Sequence, residues 1–178
     1  MIKIAIAAAW LALAATATAA AQPQGAGACL TPSEVSDLAQ VVLPEAIGAA
    51  GVACAAVLPP SAAIRQTNGA MLPRYRSEAD RAWPQAKRVI GKIGGVEGAA
   101  MLDSELVRPL LTTMLVAQVT KTINVRDCAS IERIVSALAP LPPRNTADVA
   151  AQILMLTIQA KARRGERIDL PVCFETAK

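Results

Sequence analysis

The stretch MLPRYRSEADRAWPQAKRVIGKI, residues 71–93, decides the fold class that this sequence predicts. Apolar and small side chains recur along it at helical spacing: Leu72, Tyr75, Ala79, Ala82, Ala86, Val89 and Ile93. Polar side chains fill the opposite stripe: Arg74, Glu78, Arg81, Gln85, Arg88 and Lys92. The pattern predicts a long amphipathic helix that is kinked at Pro84 and ends at Gly94-Gly95.

Upstream of this helix, Thr31-Pro32-Ser33-Glu34 predicts a helix start. Thr31 suits the N-cap, proline suits the first helical position, and Glu34 is placed to complete a capping box. Because Pro44 lacks an N–H, we expect the helix to stop there and a second short helix to run from Pro44 to Ala50. Gly51 is then the expected C-cap.

Downstream, a helix is predicted from Ser104 to Ile123, with Asp103 as its cap. No charged residue occurs between Arg108 and Lys121, so we expect this helix at the centre of the fold. Its expected core residues are Leu110, Leu111, Met114, Leu115 and Val119.

Two more helices are predicted before an extended tail at 166–178. Asp127 can cap the first, whose expected core residues are Ile131, Ile134, Val135 and Leu138. The second follows the proline-rich break at 140–143, with Asn145 or Thr146 as its cap and Gly165 as its C-cap. Its expected inward residues are Val149, Ile153, Leu156 and Ala160.

The composition agrees with an all-α protein, a single small bundle of about five to six helices. Alanine and aliphatic residues dominate, and the 178 residues include only two Trp, one Tyr and one Phe. Carbohydrate-binding and base-stacking surfaces both need exposed aromatic rings, so carbohydrates and nucleic-acid bases are disfavoured as ligands. The net charge of +4 is spread along the chain, and we expect no nucleic-acid partner.

The N-terminus predicts export. Lys3, an apolar run and a small-residue stretch ending at Ala21 form the pattern of a secretory signal peptide at 1–21. The mature chain, 22–178, is then one helical domain with no stable membrane insertion, secreted or, in a Gram-negative bacterium, periplasmic. An uncleaved membrane anchor and a lipidated Cys29 are the alternatives.

Four cysteines, Cys29, Cys54, Cys128 and Cys173, lie in the exported part and predict two disulfides. In antiparallel helix hairpins, chain neighbours meet at the same end, so the preferred pairing is Cys29 with Cys54 and Cys128 with Cys173.

Catalytic chemistry finds little support. The chain has no histidine, which removes the usual general base and the commonest metal ligand, and the cysteines are assigned to bridges. We therefore predict no catalytic residues, no metal ligands and no cofactor. Gly91-Lys92 and the following glycines are interpreted as a helix end, because no Ser or Thr follows the lysine.

One local group indicates binding. Trp83 lies one position off the apolar stripe, so a surface made of Arg81, Trp83 and Tyr75 could anchor a protein partner or an apolar ligand. The basic cluster at Lys161, Arg163, Arg164 and Arg167 is explained by the helix dipole without a ligand.

The leading hypothesis is a non-catalytic exported domain that binds an envelope protein or an apolar small molecule. The alternatives are a carboxylate-dependent cell-envelope hydrolase, which needs two acids in one cleft, and a stress or stability factor without a discrete site.

Overall fold

The computed structural model describes residues 29–102, 104, 106–168 and 170–173, without the side chains of 96–101, 115 and 119. The predicted signal peptide at 1–21, the predicted cap Asp103 and the tail beyond Cys173 lie outside these residues. The described chain forms five α-helices and no β-strand, which confirms the all-α prediction. They are α1 Pro32–Ala53, α2 Met71–Met101, α3 Val107–Thr122, α4 Cys128–Leu138 and α5 Pro143–Arg163.

The start of α1 is the one predicted. Thr31 Oγ1 accepts a hydrogen bond from the Glu34 N–H at 3.3 Å, and the Glu34 carboxylate accepts one from the Thr31 N–H at 2.8 Å. These two bonds form the capping box.

The predicted break at Pro44 is wrong, because α1 continues through it to Ala53. Pro44 is fully buried, and packing along the whole helix outweighs the backbone hydrogen bond that proline cannot make. Gly51 is not a C-cap but a buried residue inside the helix, where a Cβ would lie 2.1 Å from the Ile64 carbonyl oxygen. Glycine there permits a short 3₁₀ turn, Ala63–Arg65, to pack on α1.

By length and composition, α1 is the one described helix that could cross a membrane, a property that core helices share. Here it packs against α2, α3 and α5.

The predicted core face of α2 is largely correct. Leu72, Tyr75, Ala79, Ala82, Ala86 and Val89 are buried, whereas Ile93 is exposed. The helical backbone continues through Pro84 and is interrupted at Gly95, whose φ of 67° lies in the left-handed region. The predicted helix end at Gly94-Gly95 is therefore a kink, and the helical backbone resumes beyond it and continues to Met101.

The predicted central position of α3 is wrong, because this helix packs mainly against α1 and contacts α2 through Arg108. Leu110 and Met114, expected in the core, are 61% and 69% exposed. Leu111 is half-buried, and the side chains of Leu115 and Val119 are among those not described. The absence of charge in α3 thus does not reflect burial.

The inward face predicted for α5 is also wrong. Val149, Ile153 and Leu156 are exposed, and Ala160 is only half-buried. The buried residues lie on another face of the helix: Thr146, Ala147, Ala151, Met155 and Ile158. On α4, Val135 is buried as predicted, whereas Ile134 is exposed.

The predicted N-terminal caps of α4 and α5 also differ. Asp127 occupies the N-cap of α4 without a side-chain capping bond. α5 begins earlier than predicted, with Pro142 at the N-cap and Pro143 in the first turn, so neither Asn145 nor Thr146 caps it. The fixed φ of proline suits this position.

Both disulfides are present, but the preferred pairing is wrong. Cys29 bonds Cys173 and Cys54 bonds Cys128, with Cα–Cα distances of 5.0 and 5.6 Å. The unbroken α1, 22 residues and roughly 33 Å long, holds Cys29 and Cys54 at opposite ends. The pairing therefore failed because the predicted break at Pro44 does not exist.

The two bridges lie beside two buried clusters. Cys54 and Cys128 belong to a cluster with Ile47, Ile64, Leu72, Tyr75 and Val135. At the other end of α1, the tail residue Val172 pairs with Leu30 in a parallel β-bridge and joins Val35, Val89, Ala151, Met155 and Ile158. This part of the predicted extended tail is therefore tied to the residues just before α1.

Candidate functional site

The three residues of the predicted binding surface do not share one surface. Tyr75 is 1% exposed, and its hydroxyl donates a hydrogen bond of 2.8 Å to Thr146 Oγ1. Arg81 lies on the outer face of α2, where its Nη2 pairs with Glu78 Oε2 at 2.5 Å. Trp83 is half-buried beside α3. Each residue borders a different concave region.

The first region, the α4–α5 groove, is an apolar groove with a volume of about 410 Å³ between α4 and α5. Its lining residues are Leu43, Ile47, Met71, Tyr75, Ile134, Val135, Leu138, Thr146, Val149, Ala150, Ile153, Leu154 and Thr157. α4 and α5 do not pack against each other along their length. Each of them packs on other elements of the fold. Their facing side chains Ile134 and Ile153 are 59% and 60% exposed.

α5 is apolar around most of its circumference. One face is buried against α1 and α2, and a second, facing the groove, carries exposed Val149, Ile153 and Leu154. No charged residue occurs between Asp148 and Lys161. A helix that is apolar on nearly all sides is normally surrounded by other elements, so this surface is suited to being covered.

The walls of the groove are held in place by polar contacts. The Glu132 carboxylate on α4 accepts hydrogen bonds from the N–H groups of Ala63 and Ile64, at 2.8 and 3.1 Å. Arg74 Nη2 on α2 donates to the Ala139 carbonyl at 2.6 Å, where α4 ends. Together with Tyr75–Thr146 and Cys54–Cys128, these contacts fix α4 and α5 against the core.

The pKa of Glu132 reflects this role. Burial opposes ionisation, but the hydrogen bonds from Ile64, Ala63 and Ser136 outweigh it, so the pKa lies below its ordinary value.

The second region, the Trp83 groove, is an apolar groove of about 510 Å³ on the opposite face of α1. It is lined by Leu38, Val41, Val42 and Glu45 of α1, Trp83, Ala86, Ile90 and Ile93 of α2, and Arg108, Leu111, Thr112, Met114 and Gln118 of α3. The Arg108 guanidinium lies 5.4 Å from the centroid of the Trp83 ring, within the range of a cation–π contact. Arg108 also pairs with the exposed Asp80 at 2.7 Å.

The third region, the charged cleft, has a volume of about 650 Å³ between α1, α2 and the start of α5. Its lining includes three carboxylates, Glu34, Asp37 and Glu78. Glu34 pairs with Lys92 at 2.9 Å, and Glu78 pairs with Arg81. Asp37 faces the positive charges of Arg144 and Arg88.

Two acids of this cleft have pKa values that move in opposite directions. Burial raises the pKa of Asp37 and outweighs the attraction of Arg144 and Arg88. Burial also opposes ionisation of Glu34, but hydrogen bonds from Thr31 and Lys92 outweigh it and lower the pKa. Acid–base hydrolysis uses two carboxylates of one cleft whose environments move their pKa values apart.

The basic cluster ends α5 as expected. Gly165, with φ of 70°, and Glu166 donate backbone hydrogen bonds to Ala162 and Lys161 and close the helix in a Schellman motif. The Arg164 side chain pairs with Glu166. Within the described residues, no group of three or more Asp, Glu or Cys is placed to hold a metal ion.

Comparison with family models, with curated proteins and with solved structures found no match to this chain. The three regions described above are therefore the basis on which a function is proposed.

Sequence reasoning missed the α4–α5 groove because it placed Ile134, Val149 and Ile153 in the core. One signal could have revealed it. α5 has more apolar positions than one buried face can use, and the surplus lies at helical spacing on an adjacent face.

Proposed function

We propose that this protein is an exported, non-catalytic binding protein, and that its α4–α5 groove receives an apolar segment of an envelope protein. Export is supported by the signal-peptide pattern of residues 1–21 and by two disulfides, which persist in oxidising compartments.

One observation carries the proposal. Ile134 and Ile153, from two helices that do not pack on each other, face a shared apolar groove and are each more than half exposed. Leaving such a surface in water costs roughly 25 cal/mol for each Å² of apolar area, and a bound partner would recover that free energy. Single exposed apolar residues need no such explanation.

Site-specific photocrosslinking in the host organism tests the proposal. A benzophenone side chain is introduced in place of Ile153 and, as a matched control, in place of Leu110, which is equally exposed on α3. We expect one dominant protein adduct from position 153 that is missing from position 110. The same adducts from both positions, or none from position 153, would contradict the proposal.

Binding of an apolar small molecule is the second candidate function, and the Trp83 groove favours it. The groove has the size of a ligand site, is lined mostly by aliphatic side chains, and has the half-buried Trp83 at its wall. Native mass spectrometry of protein purified from its host would detect a retained ligand. Loss of the added mass in Thr112→Trp, which enlarges a half-buried side chain of the lining, would assign the ligand to the groove.

Hydrolysis in the charged cleft is the weaker alternative. The carboxylates of Glu34 and Glu78 are already held by Lys92 and Arg81, and Glu34 also completes the capping box of α1. Asp37 is then the acid with the greatest freedom to react. Release of soluble fragments from purified cell-wall glycan, abolished by Asp37→Asn, would support hydrolysis over binding alone.

A further inference from the structure

We propose that the occupant of the α4–α5 groove is an amphipathic α-helix of the partner, with aliphatic anchors on one face and acidic side chains beside them. This inference rests on the proposed function and gives the chemistry of the partner segment.

The walls of the groove favour a helix over an extended peptide. All of its lining residues belong to helices, whose backbone N–H and C=O groups bond internally. An extended peptide would find no strand edge to pair with and would bury its own unpaired backbone groups. A proline-rich peptide needs exposed aromatic rings, and Tyr75, the one ring in the lining, is buried.

The spacing of the lining residues on α5 sets the length of the occupant. Thr146, Val149, Ala150, Ile153, Leu154 and Thr157 follow the spacing i, i+3, i+4, i+7, i+8, i+11. Such a stripe covers three turns, or roughly 17 Å. A partner helix of three to four turns, with anchors at the same spacing, matches it.

The acidic side chains of α4 and α5 are directed away from the groove. Glu132 binds the backbone N–H groups of the 3₁₀ turn, and Asp148 accepts a hydrogen bond from the Ser36 hydroxyl on the opposite side of α5. Among the residues that the structure describes, no charged side chain lines the groove. An acidic partner helix therefore meets no like charge there.

Two cations neighbour the lining residues, one on α2 and one on α5. Arg74 lies at the end of α4, where it donates to the Ala139 carbonyl. Lys161 is exposed one turn beyond Thr157, on the same face of α5. These charges complement an acidic helix, and they disfavour a second copy of this chain, which would bring the same cations.

Binding of two synthetic helical peptides to the disulfide-bonded mature protein tests the inference. Both carry leucines at the spacing of the groove, and their remaining positions are alanine with glutamate in one peptide and lysine in the other. Fluorescence anisotropy should give about tenfold tighter binding of the glutamate peptide, with an affinity that falls as salt is added.

Matched variants assign the binding to the groove. Ile153→Gln should weaken the glutamate peptide about tenfold, and Leu110→Gln should leave it unchanged. Lys161→Gln should weaken it a few-fold and narrow the preference for glutamate. Lys121→Gln, at the end of α3, should do neither.

The outcomes separate this inference from the proposed function. If both peptides bind with equal affinity and Ile153→Gln abolishes that binding, the inferred acidic character of the partner helix is wrong, but the groove is still a docking site. Failure to bind either peptide, or binding that Ile153→Gln does not weaken, would overturn the helical occupant, and crosslinking from position 153 would still judge the proposed function. A dimer that Ile153→Gln dissociates would make a second copy the occupant.

Discussion

α2 and α5 are both long helices of the bundle, yet only α2 places its apolar residues where the sequence predicts. The outer stripe of α2 is charged, so only one orientation buries its apolar face without burying charge. α5 has no charged residue between Asp148 and Lys161, so several orientations of the helix about its axis have nearly the same free energy. The orientation that the fold selects leaves Val149, Ile153 and Leu156 exposed. Helices with surplus apolar surface are therefore both hard to orient and suited to binding.

The largest expected effect concerns the bridge that ties α4, one wall of the groove, to α1. Replacing Cys54 and Cys128 by alanine should lower the free energy of unfolding by up to about 4 kcal/mol, because the bridge closes a loop across a separation of 74 residues. Urea unfolding measures the loss. An unchanged midpoint would show that the bridge does not hold α4.

The next largest effects are expected from truncating one apolar side chain on each of the two helices, α2 and α5. Leu72→Ala on the buried face of α2 should cost about 3 kcal/mol, as large-to-small changes in a core do. Ile153→Ala on α5 should change stability by less than about 0.5 kcal/mol, because its side chain is 60% exposed. Thermal and urea unfolding of both variants measure these two changes in the free energy of unfolding. A cost above about 2 kcal/mol for Ile153→Ala would place that residue in the core.

Two glycines of α1 are expected to respond in opposite directions to replacement by alanine, because one is crowded by a neighbouring element and the other is not. Gly51→Ala should destabilise the protein by about 2 kcal/mol, since the new Cβ would lie 2.1 Å from the Ile64 carbonyl oxygen. Gly48→Ala meets no atom within 4 Å and should stabilise the helix by about 0.5–1 kcal/mol. Unfolding midpoints that move in the same direction would contradict the packing of the 3₁₀ turn on α1.

The contact between α2 and α5 is expected to contribute about 1 kcal/mol through one hydrogen bond. A double-mutant cycle of Tyr75→Phe and Thr146→Val should give a coupling energy of that size, because the two hydroxyl groups are buried and 2.8 Å apart. Additive effects of the two substitutions would mean that this bond does not orient α5.

The smallest effect is a dependence on pH at the wall of the groove. The lowered pKa of Glu132 contributes stability above its ordinary value of 4.5, and this contribution is lost as the pH falls through the folded-state pKa. Glu132→Gln should therefore flatten the decline of stability below about pH 4.5. A variant with the same acid profile as the parent would show that Glu132 does not hold the 3₁₀ turn.

The errors of sequence reasoning have a common cause. Local signals placed the helix start at Thr31, the core face of α2 and the end of α5 at Gly165 correctly, because capping and a charged outer face act locally. Pro44 was wrongly taken as a break because tertiary packing keeps α1 continuous, and the disulfide pairing failed with it. Whether an apolar face of α3, α4 or α5 finds a partner within the fold depends on distant elements that the pattern does not encode.

Carbene footprinting can test whether the α4–α5 groove is open in the isolated protein and covered in the host cell. A diazirine reagent labels exposed side chains, and mass spectrometry locates the label in the purified protein and in intact host cells. We predict strong labelling of Ile134, Ile153 and Leu154 in the purified protein, protection of these residues in cells, and equal labelling of Leu110 in both. Equal labelling of the groove in both states would show that no partner covers it in the host cell.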